Sequence, residues 1–179
     1  PSGPSTPPSP DSSAPPAAGL SLPVLLLMAT ACGLCAGANY FNQPLLHSIA
    51  VHLGVGEATA ALTVTIAQVS YAAGLLLLVP LGDKLERRRL IVGLMVLAAC
   101  GLFLSGFPSS FGALAAGTLM TGLFSVAAQV LVPMAATLAA PGRSGRAVGL
   151  VMSGLLVGIL AARSVAGLLS GIGGWGLVY

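Results

Sequence analysis

The sequence predicts an all-α protein, a polytopic membrane helix bundle with five spans and the start of a sixth. Of its 179 residues, 56% are hydrophobic and only 6% are charged, whereas an ordinary soluble domain is about 25% charged. A chain so poor in charge could not cover a soluble surface with polar groups, so an integral membrane protein is expected. The apolar residues also form continuous runs and do not alternate with polar ones, which excludes a transmembrane β-barrel.

The chain divides into a polar tail and a membrane domain. Residues 1–18 hold seven of the 13 prolines and five serines, a composition that predicts a disordered tail. Residues 19–179 are predicted to form one transmembrane domain, because about 20 apolar residues cross the ~30 Å hydrocarbon layer. The predicted spans are 20–40, 58–80, 90–107, 111–140 and 147–170, and a sixth begins near 175.

Proline and glycine mark two details of these spans. Pro133 lies inside the long fourth span, where a tilt or kink is expected. After the fifth span, residues 171–175 contain three glycines and Trp175. They are predicted to form a glycine-rich turn with its tryptophan at the membrane interface.

The charged residues are concentrated in two short loops. Residues 81–89 hold the densest charge, and residues 141–146 form a second basic loop, so that six of the seven Lys and Arg lie in these two segments. Two spans separate the loops, so both lie on one side of the membrane, and the positive-inside rule places them and the N-terminus in the cytoplasm. The chain is therefore predicted to be a multi-pass protein of the cell (inner) membrane, with the lipid bilayer as its surroundings.

Several other chemistries are not supported by the sequence. Neither basic loop has interleaved aromatic residues, so nucleic acid is not an expected partner. Cys32 and Cys35 lie three apart inside an apolar run, which indicates packing and not a redox turn. His47 and His52 have no third ligand nearby, so no metal site is predicted. No nucleophile–base set, phosphate-binding loop or other cofactor motif occurs, so neither an enzyme nor a cofactor is expected.

Polar side chains within the spans are the candidates for a solute route. Lipid penalises such groups, so they face other helices or a water-filled cavity. Interhelical hydrogen bonding and a substrate-facing wall are both open interpretations. The candidates for lining the route are Asn39, Tyr40, Gln43, Gln68, Gln129 and Arg163.

Arg163 is the most informative of these residues. A charge in mid-span costs about 2.5–3.5 kcal/mol on insertion scales, and no Asp or Glu occurs within the five predicted spans. Its partner is expected to be a backbone carbonyl, water, a ligand or a residue beyond Tyr179, with snorkelling as the alternative. Nearby, Gly154 and Gly158 are spaced for close helix packing.

The loop between the second and third spans resembles a motif of the major facilitator superfamily. Leu81, Asp83, Lys84, Arg87 and Arg88 match that family's loop between helices 2 and 3. In the family the loop is a conformational latch that pairs with the opposite half of the carrier. The resemblance implies this role for Asp83, Lys84, Arg87 and Arg88. The family's first glycine and internal glycine are replaced here by valine and glutamate.

Two weaker likenesses support the same family. Gly145, Gly154 and Gly158 match the spacing of an antiporter motif in the fifth span, although Ile159 stands where that motif has proline. Residues 39–44 resemble the same stretch of bacterial efflux-type members, which favours export.

The resemblance implies a twelve-helix carrier that moves a small-molecule substrate by alternating access. Such carriers have two six-helix halves, and this chain resembles the N-terminal half. The missing C-terminal half is then its expected partner. The alternative is a truncated, non-transporting membrane fragment or a helix-packing subunit.

Overall fold

The chain folds into helices that pack side by side. A computed structural model describes residues 20–173 and Val178, and it contains no strand among them. The helices are α1 (Leu22–Gly37), α2 (Leu46–Leu53), α3 (Glu57–Leu77), α4 (Arg87–Gly106), α5 (Phe111–Phe124), α6 (Ala127–Leu138) and α7 (Ser144–Gly173). The predicted fold class, an all-α membrane helix bundle, is confirmed. The predicted tail at 1–18 and the sixth span near 175 lie outside the described residues.

Within the described residues, four helical segments are long and apolar enough to cross a membrane. They are Glu57–Asp83, Arg87–Gly106, Phe111–Leu138 and Ser144–Ile172. The first predicted span, 20–40, contains the shorter apolar helix α1, which has 16 residues. Helices suit this environment because lipid offers no hydrogen-bond partner, so each segment must satisfy its own backbone groups.

The fourth predicted span is interrupted between α5 and α6. α5 and α6 are separated at Ser125 and Val126, whereas Pro133 lies inside α6. The Ser125 hydroxyl donates to the carbonyl of Gly122 at 3.1 Å, and hydroxyl bonds of this kind often bend helices. The amide of Gln129 donates only three residues back, at 2.9 Å. The tighter geometry at the start of α6 therefore marks the interruption, and the tilt or kink expected at Pro133 stays a prediction.

Two connections also differ from the sequence analysis. The link after the first span contains α2, which ends at Gly54 in the left-handed conformation with φ 62°. Glycine suits this position because it has no Cβ to clash. At the other end, α7 continues to Gly173, so Gly171 to Gly173 are helical and not part of a turn. The predicted interfacial Trp175 lies outside the described residues.

α1 and α7 pack closely against each other over much of their length. A Cβ on Gly158 would collide with the backbone of Gly33, and one on Gly154 would collide with the backbone of Ala29. Small residues allow the two helices to approach this closely. The resulting van der Waals contact stabilises their association, because the hydrophobic effect does not drive helices together within lipid. The predicted packing role of Gly154 and Gly158 therefore has a defined partner, α1.

The two charged loops lie at the same end of the bundle. The Arg87 side chain, at the start of α4, hydrogen-bonds to Thr137 near the end of α6 at 3.4 Å. Since the second basic loop follows α6 directly, this contact brings both basic segments together. Cys32 and Cys35 are free thiols buried among apolar side chains of the core.

Candidate functional site

The segment that follows α1 carries three of the predicted route residues: Asn39, Tyr40 and Gln43. Residues 38–42 form turns, and a 3-10 turn follows. The amides of Asn39 and Tyr40 donate to carbonyls three residues earlier, at 3.1 and 2.9 Å, as is common where an α-helix ends. Pro44 has no N–H and cannot extend the helix. The break therefore places hydrogen-bonding side chains at the end of an apolar span.

Arg163 extends from α7 to this break. Its Nη2 donates a hydrogen bond to Oε1 of Gln43, 120 residues earlier in the chain. The sequence analysis had considered carbonyls, water, ligands and residues beyond Tyr179 as partners, so a side-chain amide was missed. The close packing of α7 on α1 brings the two side chains together. Two of the predicted route residues are therefore direct neighbours.

A second polar pair joins α6 to α3. Gln129 Nε2 donates to the hydroxyl oxygen of Tyr71 at 3.0 Å. Tyr71 is half-buried, and so is Tyr40 in the break after α1. The bond between Gln129 and Tyr71 joins two neighbouring helices of the bundle. Tyr71 was missed in the sequence analysis, although its hydroxyl is as unusual in an apolar span as the glutamine amides.

The remaining route candidates are placed differently. Gln68 is exposed on α3, and no hydrogen bond from its side chain is present in the described part of the chain. Asn39 is only 5% exposed and faces α3, α4 and α5 side chains. The structure thus brings Gln43, Arg163 and Gln129 into polar pairs, whereas Asn39 is buried at a separate place in the bundle.

The charged loop is built from a 3-10 turn and the start of α4. Arg87 Nη2 lies 3.9 Å from Asp83 Oδ1, and the Asp83 side chain is 83% exposed. Arg89 and Glu86 pair at 2.7 Å, while Lys84 and Arg88 are exposed. Arg87 is held within this chain by Asp83 and Thr137, whereas most of the Asp83 carboxylate stays accessible to another partner.

The opposite end of the bundle carries a separate contact between a histidine and a glutamate. His47 Nδ1 of α2 lies 2.8 Å from Glu57 Oε1 at the start of α3, and both side chains are largely exposed. No group of three or more His, Cys, Asp or Glu able to hold a metal ion exists in the part of the chain that the structure describes. The pair therefore ties α2 to α3 at the surface.

These residues together offer hydrogen bonds and one positive charge. The amides of Gln43 and Gln129, the hydroxyl of Tyr71 and the guanidinium of Arg163 are the groups concerned. They suit reversible binding of a polar solute, because each can exchange its present partner for one on the solute. Arg163 and Gln129 are exposed on the bundle surface, so such an exchange requires no unfolding.

Comparison with known proteins identifies relatives over almost the whole chain. A family model described as Major Facilitator Superfamily matches residues 26–179. The uncharacterized transporter YgaY of Escherichia coli, in strains K12 and O157:H7, is 53% identical over 160 residues, 89% of this chain and 41% of the relative. The probable transporter SCO4007 of Streptomyces coelicolor is 37% identical over 164 residues, 91% of this chain and 37% of the relative. The chain thus spans about two fifths of the length of these relatives.

Proposed function

Because this chain belongs to the major facilitator superfamily, we propose that it contributes one half of a membrane carrier that moves a small solute by alternating access. The relatives reported above are called transporters. In this superfamily two six-helix halves enclose a central cavity, and the present helices supply the N-terminal half. The C-terminal half is the partner that this proposal requires.

The observation that carries the proposal is the exposed polar pair Arg163–Gln43. A guanidinium facing lipid in mid-span is unfavourable, so such groups normally face a water-filled cavity or another part of the protein. Arg163 is exposed on the surface of this bundle, and among the described residues its side-chain partner is a neutral amide. This supports the proposal that the surface around Arg163 lines the solute route, and Gln129 and Tyr71 form a second polar pair that we assign to the same route.

The charged loop supplies the proposed conformational latch. The exposed Asp83 carboxylate can pair with the second half in one conformation and release it in the other. Breaking such a pair costs little in water, because exposed ion pairs contribute about 0–1 kcal/mol. Lys84, Arg87 and Arg88 flank this carboxylate on the side that the positive-inside rule assigns to the cytoplasm. The proposed location is the inner membrane, with the N-terminus inside.

Transport is tested with the full-length gene product in liposomes. We expect time-dependent movement of at least one solute from a panel of radiolabelled organic anions, cations and neutral solutes. Comparing outward and inward gradients tests the proposed export direction, and a proton gradient tests coupling. Asp83→Asn should slow transport at least several-fold, whereas Glu86→Gln, in the same loop, serves as the matched control. A full-length product that moves no solute, or equal rates for both variants, would contradict the proposal.

The competing proposal is a helix-packing subunit without transport of its own. Expressing the 179-residue chain alone beside the full-length product separates the two. If the full-length product transports solute and the 179-residue chain alone does not, the chain acts as one half of a carrier.

A further inference from the structure

A small cavity lies beside the break after α1, where this segment meets α3, α4 and α5. The break contributes Asn39 and Asn42 to its wall, α4 contributes Ser105, and α5 contributes Thr118 and Thr121. The cavity measures about 10 Å³, at the lower limit of the roughly 10–15 Å³ that one water molecule needs. A larger ligand would not fit without movement of the helices.

Four oxygen atoms in this wall are buried without a hydrogen-bond partner among the described residues. They are Asn39 Oδ1, Asn42 Oδ1, Ser105 Oγ and Thr118 Oγ1. Their residues are between 1% and 6% exposed. Polar groups buried without a partner are costly, and native proteins nearly always satisfy them, either from the protein or with ordered water.

The hydroxyl groups of Ser105 and Thr118 differ from that of Thr121, which lines the same cavity. Thr121, Ser70 and Ser153 each donate to a carbonyl four residues earlier in their own helix, at 2.9, 2.7 and 2.8 Å. This is the usual bond of Ser and Thr within a helix. Ser105 and Thr118 make no such bond, so their protons are free to be donated into the cavity.

The set is chemically complementary to one water molecule. Two amide oxygens can each accept a hydrogen bond, and two hydroxyl groups can each donate one. A water molecule donates two and accepts two. A cation is disfavoured, because the described carboxylates of Glu57, Asp83 and Glu86 lie at helix ends or in the loop and a buried charge without a counter-charge is expensive.

We propose that this cavity binds one internal water molecule, which donates to Asn39 and Asn42 and accepts from Ser105 and Thr118. Through these hydrogen bonds the water links the break after α1 to α4 and α5. The same break carries Gln43, the partner of Arg163, so the water is a positioning element for that pair. The inference goes beyond the proposed transport and does not depend on it.

The test is a structure of the full-length gene product at a resolution that shows ordered water, for the wild type and two variants. In the wild type we expect one peak at about 2.7–3.2 Å from the four oxygens. Thr118→Val keeps the shape of the side chain but removes one donor, so the peak should be lost or weakened. Thr121→Val is the matched control, because the Thr121 hydroxyl lines the same cavity but is already bonded to its own helix.

Thermal unfolding in sodium, potassium and choline chloride gives the second readout. We expect the same unfolding temperature in all three salts, and a decrease of roughly 2–4 °C for Thr118→Val that exceeds the decrease for Thr121→Val. Ser105→Ala is the second variant if Thr118→Val does not fold. Any one of three results would overturn the proposal: no peak in a wild-type map that shows other waters, stabilisation by sodium alone, or equal effects of the two threonine variants.

Discussion

The guanidinium of Arg163 donates to Gln43 Oε1, a neutral amide, and forms no salt bridge in the described part of the chain. Its positive charge is therefore not neutralised within this bundle. At this depth the charge is stable only if water, a solute or another part of the protein faces it. The pair thus has the properties of a binding group that is held in position by its amide partner.

Replacing Arg163 tests this role at the scale of one side chain. Hydrogen bonds to charged groups contribute about 1.5–3 kcal/mol, so Arg163→Ala should reduce transport by the full-length product at least about tenfold. The amount of protein in the membrane should stay unchanged, because removing a charge from a span does not oppose insertion.

Two further variants complete this measurement. Arg89→Ala removes a guanidinium from the exposed loop and is the matched control for lost charge. The double variant Arg163→Ala with Gln43→Leu should lose less transport activity than the two single losses add up to in free energy, because the two side chains form one hydrogen-bonded unit. Full transport by Arg163→Ala would show that this residue only snorkels toward the interface.

Helix α7 illustrates how an element positions these residues. Gly158 contacts the Gly33 backbone so closely that no Cβ fits between them, and the register of this contact places Arg163 beside the break after α1. Gly167 lies on the same helix with open space around it. Two glycines of one helix therefore have different roles, one in packing and one without a close neighbour.

This difference gives a prediction at the scale of the element. Gly158→Ala should destabilise the protein by about 1–3 kcal/mol through overpacking, which lowers the unfolding temperature by several degrees in a detergent-based thermal assay. Gly167→Ala should have no such effect, because alanine favours the helix by about 1 kcal/mol over glycine. An unchanged unfolding temperature for Gly158→Ala would mean that α1 and α7 do not meet at these residues.

At the scale of the whole molecule, the two ends of the bundle carry different polar groups. The contact between Arg87 and Thr137 places the basic segments at one end, and the contact of His47 with Glu57 lies in the link between the first two spans. Moving several Lys and Arg across the bilayer is strongly unfavourable, so one end is expected to remain in the cytoplasm.

Cysteine labelling of the full-length product in cells tests this topology. Arg89→Cys and Ser144→Cys should react with a membrane-impermeant maleimide only after the cells are opened. Ser109→Cys, in the turn between α4 and α5, should react in intact cells. The wild type is the control for Cys32, Cys35 and Cys100, which lie within the helices. Labelling of the two basic loops from opposite sides would contradict the topology.

Much of this architecture was predictable because it depends on local properties of the chain. The length of an apolar run decides whether a helix can cross the bilayer. The positive charge of the loop at 81–89 likewise follows from its own residues and does not depend on which helices pack beside it. Polarity alone likewise identified Arg163, Gln43 and Gln129 as unusual residues. These inferences require no knowledge of how the helices pack.

Only the tertiary structure decided which of these side chains meet. The bond between Arg163 and Gln43 joins residues 120 positions apart, and it depends on the rotation of α7 against α1, which their glycines permit. Tyr71 was likewise recognised as a candidate only from the structure, because its hydroxyl accepts a hydrogen bond from Gln129 on another helix. The break at Ser125 was not predicted, because it depends on backbone hydrogen bonding that composition does not record. The sequence by itself thus determined the all-α membrane class, because apolar composition is local, while close helix contact decided which polar side chains pair.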